Sequence, residues 1–204
     1  MRRWAVVSAT AAPVALIGGW TWAEAYRPDG YSPLHDTLSA LAAQQGSAGQ
    51  IMTAALAVLG GCHLVTAAGL PEAGARARAL LALGGAATIM VAALPQPSAG
   101  HLPAAAIAFV ALALWPAASD LPGRRTARLG ALALVALLGW LAFELRGGAL
   151  LGLSERVLAG AEALWPLVAA LSVQVVRGRS RRRQVTPRLP GARGRNDKRP
   201  PSPR

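Results

Sequence analysis

AGQIMTAALAVLGGCHLVTAAGL, residues 48–70, decides the fold. It holds no Asp, Glu, Lys or Arg, and it stops at Pro71. As an α-helix this stretch is about 34 Å long, enough to cross a hydrocarbon core of about 30 Å. Its glycines and alanines let neighbouring helices approach closely in lipid. Outward from this run the pattern repeats. Further apolar segments cover about 4–23, 78–94, 102–119, 128–145 and 156–176. The reading is all-α: a polytopic membrane bundle of six transmembrane helices over residues 1–176, followed by a basic tail, 177–204.

Composition agrees with this. Of the 204 residues, 53% are hydrophobic and only 15% charged, below the roughly 25% of soluble domains. Six spans leave no room for a second domain of ordinary size. The net charge of +12 is concentrated at one end. Residues 177–204 hold eleven Arg and Lys against one Asp, a net +10 that leaves +2 for everything before them. That tail mixes Arg with Pro, Gly and Ser and lacks the apolar residues of a core, so disorder is expected. It reads as a topology anchor that attracts anionic lipid headgroups. Nucleic acid is the weaker partner, because no aromatic residue is interleaved to stack on bases.

Met1-Arg2-Arg3 before an apolar run imitates a secretory signal. The run from Trp4 to Ala23 is longer than a usual signal core, and Ala9-Thr10-Ala11 comes too early in it for cleavage. An uncleaved first helix is expected. Six spans put both termini on one side. The ends on that side carry Arg2, Arg3, Arg76, Arg78, Arg124, Arg125 and Arg128, against Arg27, Arg146 and Arg156 on the other. The positive-inside rule therefore places both termini in the cytoplasm.

The longest outer loop covers about residues 24–47. Pro28-Asp29-Gly30 reads as a turn, and Ser32-Pro33 as an N-cap with proline in the first helical position. Leu34, Leu38 and Leu41 follow at helical spacing, with His35, Asp36 and Ser39 largely off that stripe. A short amphipathic helix over about 33–43 is expected near the outer surface, leucines inward.

Ionisable residues gather toward the same end: Glu24, Asp29, His35, Asp36, His101, Glu144, Glu155, Arg156 and Glu162. Glu162 stands out, about two turns inside the sixth span. A carboxylate at that depth needs protein or water around it and a partner. Glu155, seven residues earlier, shares its helical face. The candidate polar site is Asp36, Ser39, His101, Glu155 and Glu162. If Asp36, His35, His101 and Glu162 converge, they offer the N/O ligands that zinc accepts, or an acid–base set. No HxxxH, HExxH or paired-cysteine spacing supports this, and a hydrogen-bonded structural cluster is the plainer reading. Single-residue alternatives stand beside it. Asp36 and Ser39 cap the loop helix, His101 caps the fourth span, and Glu144 and Arg146 snorkel to the interface. His63 reads as an interhelical hydrogen-bond donor rather than a proton relay, since no acidic group lies obviously at its depth. Cys62, the only cysteine, reads as a packing residue.

Trp115-Pro116 and Trp165-Pro166 echo each other, each after Ala-Leu. Pro116 reads as a terminator of its span and Pro166 as a bend beside Glu162. The Gly60-Gly61 and Gly84-Gly85 pairs read as close helix packing. No phosphate-binding loop, nucleotide-binding pattern, G-x-S-x-G element or cofactor motif is present.

An ordered set of short motifs remains. It comprises Gly30-Tyr31-Ser32-Pro33, Asp36-Thr37-Leu38-Ser39-Ala40-Leu41, His63-Leu64-Val65, His101-Leu102-Pro103-Ala104, Trp115-Pro116, Ser154-Glu155-Arg156 and Trp165-Pro166. In this the chain resembles, over about 4–176, the bacterial and especially actinobacterial six-span membrane proteins grouped as domain of unknown function number 998. The resemblance implies fold and a bacterial plasma-membrane location. It supplies no catalytic residue. Three functions stay open. The first is a non-enzymatic membrane protein that binds a lipid or small ligand at an outer-face polar pocket. The second is a membrane hydrolase or transferase using His101, Asp36 and Glu162. The third is a small proton-coupled transporter using Glu162. Membrane lipids are the expected partners, and a homo-oligomer is open.

Overall fold

The computed structural model describes residues 2–121 and 123–185, the last nine, 177–185, as backbone alone. It is all-helical in these residues. The order is α1 (Arg3–Glu24), α2 (Leu38–Ala42), α3 (Ser47–Gly69), a 3-10 turn (Pro71–Ala73), α4 (Ala75–Ala93), α5 (His101–Leu114), α6 (Arg124–Glu144) and α7 (Leu151–Val185). Five of these, α1, α3, α4, α6 and the 151–176 part of α7, are long and apolar enough to cross a membrane. The protein is a multi-pass membrane bundle.

The six longer helices form a closed ring. Chain neighbours α3 to α4, α4 to α5, α5 to α6 and α6 to α7 pack in turn, and α1 closes the circle between α3 and α7. Short connections between antiparallel apolar helices dictate most of this order. Apolar side chains also cover the outside of the ring: Val7, Val14, Leu102, Leu132 and Phe143 are all exposed. Such an exterior is at home against acyl chains rather than water.

Small residues set the tightest seam. An added Cβ on Gly60 would run into the Gly85 carbonyl, and one on Gly85 into the Gly60 carbonyl. The backbones of α3 and α4 thus meet directly at Gly60 and Gly85, while Gly84 packs against Leu112 of α5 and Gly61, expected to pack closely, meets nothing among the described residues.

Two apolar clusters fill the ring at different depths. One, toward the Glu24 end, includes Leu16, Leu38, Leu41, Met52, Leu56 and Leu59. The other, toward the N-terminus, includes Leu70, Leu81, Leu112, Trp115, Leu121 and Val173. At that second end the Arg2 amide donates to the Gly69 carbonyl and the Asp120 amide to the Ala73 carbonyl.

Several expectations need correction. The fourth expected span, 102–119, is helical only to Leu114. At about 1.5 Å per residue its 14 residues reach about 21 Å, short of a full hydrocarbon core. Pro116 ends it, as its position suggested: Trp115 still has helical backbone and donates to the Ala111 carbonyl, but proline has no amide to continue the ladder, and the chain turns there. The last helix begins at Leu151, so Glu155 and Arg156 lie within it rather than at its edge. It also continues as backbone to Val185, past the tail boundary drawn at 176. The remainder of the expected basic tail, 186–204, lies outside the described residues.

The loop helix is shorter than expected. Only Leu38–Ala42 is helical, and its N-cap is Thr37, whose hydroxyl accepts from the Ala40 amide at 2.9 Å. Ser32 instead opens a turn: its carbonyl accepts from the His35 and Asp36 amides, and its own amide donates to Asp36 Oδ2 at 2.7 Å. Leu38 and Leu41 are buried as expected, but Leu34 is 49% exposed. The leucine stripe breaks because the residues before Thr37 are not helical. Ser39, expected off the stripe, is buried.

Candidate functional site

The polar residues at the Glu24 end divide into a clamp, a groove and an inner cavity. Arg156 is the hub of the clamp. It projects from α7 in its second turn and is nearly buried. Its Nη2 reaches Glu24 Oε1 at 2.9 Å and its Nε reaches the same oxygen at 3.3 Å. Nη1 donates to the Asp36 carbonyl at 2.8 Å and to the Gly152 carbonyl at 3.0 Å. Nη2 also donates a short hydrogen bond to the Tyr31 hydroxyl, and the guanidinium lies 5.9 Å from that ring's centre. One planar fork therefore ties α1, the 25–37 loop and α7 together, a task that suits arginine's five donors. The Tyr31 hydroxyl in turn donates a hydrogen bond to the Thr37 carbonyl at 3.2 Å. Burial pushes the Tyr31 phenol above its ordinary value of 10, against the opposing pull of Arg156.

Glu155 is the second half of the clamp. One of its oxygens accepts from the Leu38 amide and the other from the Ser39 hydroxyl at 3.4 Å. The first turn of a helix has amides without intrahelical partners. Here a carboxylate from α7 satisfies one on α2 and meets its dipole favourably. Gly152 makes the approach feasible, since a Cβ there would collide with the Pro33 and Asp36 carbonyls. The Leu153 amide donates to the Leu34 carbonyl at 3.1 Å. Loop 31–39 is thus bolted onto the start of α7.

Beside the clamp, α5 and α6 line a groove of about 350 Å³. Leu102, Ala106, Phe109, Val110, Leu138 and Ala142 make its walls, and its surface is almost wholly apolar; Thr37, Ser39, Gln96, His101 and Glu155 border it at the loop end with their polar atoms mostly turned away from it. His101 donates from Nδ1 to the Leu94 carbonyl at 2.7 Å. That fixes the ring and ties the start of α5 to the end of α4.

Further in lies a cavity of about 40 Å³. Ser39, Ala105, Phe109 and Glu155 line both it and the groove. His63, Thr88 and Glu162 also face it, and members of both apolar clusters contribute to its wall. The Thr88 hydroxyl is used on the Gly84 carbonyl at 2.8 Å. His63 is 0% exposed and Glu162 1%. Neither nitrogen of His63 and not Oε1 of Glu162 has a hydrogen-bond partner among the described residues.

Of the sequence-predicted site, Ser39 and Glu155 bond each other and face both the groove and the cavity. His101 reaches the groove only, and Glu162 the cavity only. Asp36 faces neither: its carboxylate closes the Ser32 turn and its carbonyl serves Arg156. His101, Asp36 and Glu162 therefore have no common space, and among the described residues no group of three or more His, Cys, Asp or Glu could hold a metal ion. His63 corrects an expectation in the other direction. It is not an interhelical hydrogen-bond donor, and an acidic group, Glu162, does share its cavity. Glu144 does not snorkel. It is buried and accepts from Trp140 Nε1 at 3.0 Å and the Leu150 amide at 2.8 Å, holding the turn into α7. Phe109 was not foreseen, because one phenylalanine in an apolar helix carries no signal.

One family, described as protein of unknown function (DUF998), matches residues 9–172, which hold all seven helices in whole or part. The chain belongs to this family. DUF998 membership covers the clamp, groove and cavity together and leaves out the basic tail. No curated protein and no solved structure matches the chain.

Proposed function

We propose that this DUF998 protein binds a membrane amphiphile from the side, with an acyl chain between α5 and α6 and the headgroup at the loop end of the groove. The observation that carries this reading is a groove whose surface is almost wholly apolar and whose loop end is bordered by Thr37, Ser39, Gln96, His101 and Glu155. Such a surface suits an acyl chain, and polar residues at the margin of a mostly apolar pocket can orient the rest of a ligand. The clamp supports it as a rigid base: loop 31–39 cannot shift without breaking the bonds of Arg156 and Glu155. In this reading α5 is the sixth span, shortened and completed by the turn at Trp115, and the protein acts without catalysis. Both termini lie in the cytoplasm of a bacterial cell, on the strength of the arginine asymmetry. The basic tail attracts anionic headgroups, and a second copy remains a candidate partner.

Ala106 and Ala142 line the groove and are exposed, so a larger side chain there fills it without entering the core. Lipids that co-purify in detergent are to be measured for wild type, Ala106→Trp and Ala142→Trp. The proposal expects a selectively retained amphiphile in wild type that both variants lose. Equal retention in all three, or no selectivity in wild type, would count against it.

The unpaired atoms of His63 and Glu162 favour a second reading, proton-coupled transport through the cavity. It predicts pH-dependent solute uptake in vesicles that Glu162→Gln abolishes.

A further inference from the structure

At the N-terminal end of the bundle, Arg76, Arg124 and Arg128 line one concavity of about 590 Å³ with Ser119 and Asp120. All three arginines are exposed, and none has a hydrogen bond or ion pair among the described residues. Nearby arginines are used differently. Arg78 donates its Nε to the Ala67 carbonyl at 2.7 Å, and Arg2 lies 5.8 Å from the centre of a Trp4 ring. The topology rule asks only for positive charge near these helix ends. It does not ask that three side chains from α4 and α6 share one hollow.

Like charges around one hollow repel. Asp120 offsets one of the three, which leaves a local net charge of +2. The positive ends of two helix dipoles add to it, since α4 and α6 both begin here, at Gly74 and Gly123, without a side-chain cap. Guanidinium forks match the oxygens of a phosphate group bidentately, and the one carboxylate here cannot serve three of them. We propose that this concavity binds a phosphate-bearing anion. The chemistry has two sources, the headgroup of an anionic phospholipid and free phosphate. The site is separate from the groove between α5 and α6 and stands whether or not that groove binds a lipid.

The test uses full-length protein in detergent, with phosphatidylglycerol, phosphatidylcholine and inorganic phosphate as probes. Native mass spectrometry reads lipid retention, and thermal protection reads phosphate. The variants are Asp120→Asn and the triple Arg76→Gln, Arg124→Gln, Arg128→Gln. The basic tail is the same in every variant, so its contribution cancels. The triple variant is expected to lose at least about tenfold in binding, and Asp120→Asn, which removes the opposing charge, to gain. Effects on phosphatidylglycerol alone identify the lipid headgroup. Effects on inorganic phosphate identify the free anion. Binding of both probes by the triple variant as by wild type overturns the proposal. So does a loss in the triple variant with no gain in Asp120→Asn, since that pattern marks damage to the fold.

Discussion

His63 on α3 and Glu162 on α7 face the same cavity, each with a polar atom that nothing among the described residues satisfies. Both are fully buried. A buried polar group without a partner costs stability, and replacing it with an apolar group of like volume removes that cost. His63→Leu and Glu162→Met are therefore expected to melt at or above the wild-type temperature. A fall of more than about 5 °C in either, roughly 1–2 kcal/mol for a chain this size, would show that these side chains hold the fold.

Arg156 should behave in the opposite way. Its guanidinium is nearly buried and serves Glu24, Tyr31, Asp36 and Gly152 together. Arg156→Met strands the Glu24 carboxylate and two carbonyls, and a loss of about 2–4 kcal/mol is expected. Lysine cannot reproduce the fork, so Arg156→Lys should recover little. A double-mutant cycle with Glu24→Gln should show coupling of about 1–2 kcal/mol. A coupling near zero would reduce the pair to an accident of proximity.

Glu155 governs the loop rather than the bundle. Glu155→Ala removes the acceptor of the Leu38 amide and the Ser39 hydroxyl. Hydrogen exchange at Leu38 is expected to quicken by about tenfold or more, with α3 and α4 unchanged. Unchanged protection at Leu38 would mean that the loop is held elsewhere.

Tyr31 gives the clamp an alkaline limit. Its phenol is raised above 10, chiefly by burial, so the folded state prefers the neutral form. That contribution to stability is complete below the ordinary value and is lost as pH rises through the folded one. Melting curves between pH 9 and 11, roughly one unit either side of that value, should fall less steeply in Tyr31→Phe than in wild type. Parallel curves would remove Tyr31 from the alkaline transition.

The spans were legible because a long apolar run has few fates. The α3–α4 seam was legible too, through Gly60 and Gly85. What escaped the sequence was long-range. Arg156 and Glu24 are 132 positions apart, and no periodicity links a helix start to a distant helix end. The same Trp-Pro pair ends α5 at Pro116 yet continues through Pro166 in α7, so local chemistry does not decide it. Glu162 announced itself by its depth. His63 did not, because its cavity-mate lies on another helix.

The proposed function stands or falls with the entry of an acyl chain between α5 and α6. The most direct measurement is photolabelling in membranes with a phospholipid that carries a photoreactive group along its acyl chain. Leu129 and Leu132 on α6 are exposed but lie outside the groove, and they supply the internal reference. The account predicts that labelling concentrates on groove residues, among them Leu102, Val110, Leu138 and Ala142, and that Ala106→Trp reduces it there alone. Uniform labelling of Leu132 and Ala142, unchanged by Ala106→Trp, would contradict it.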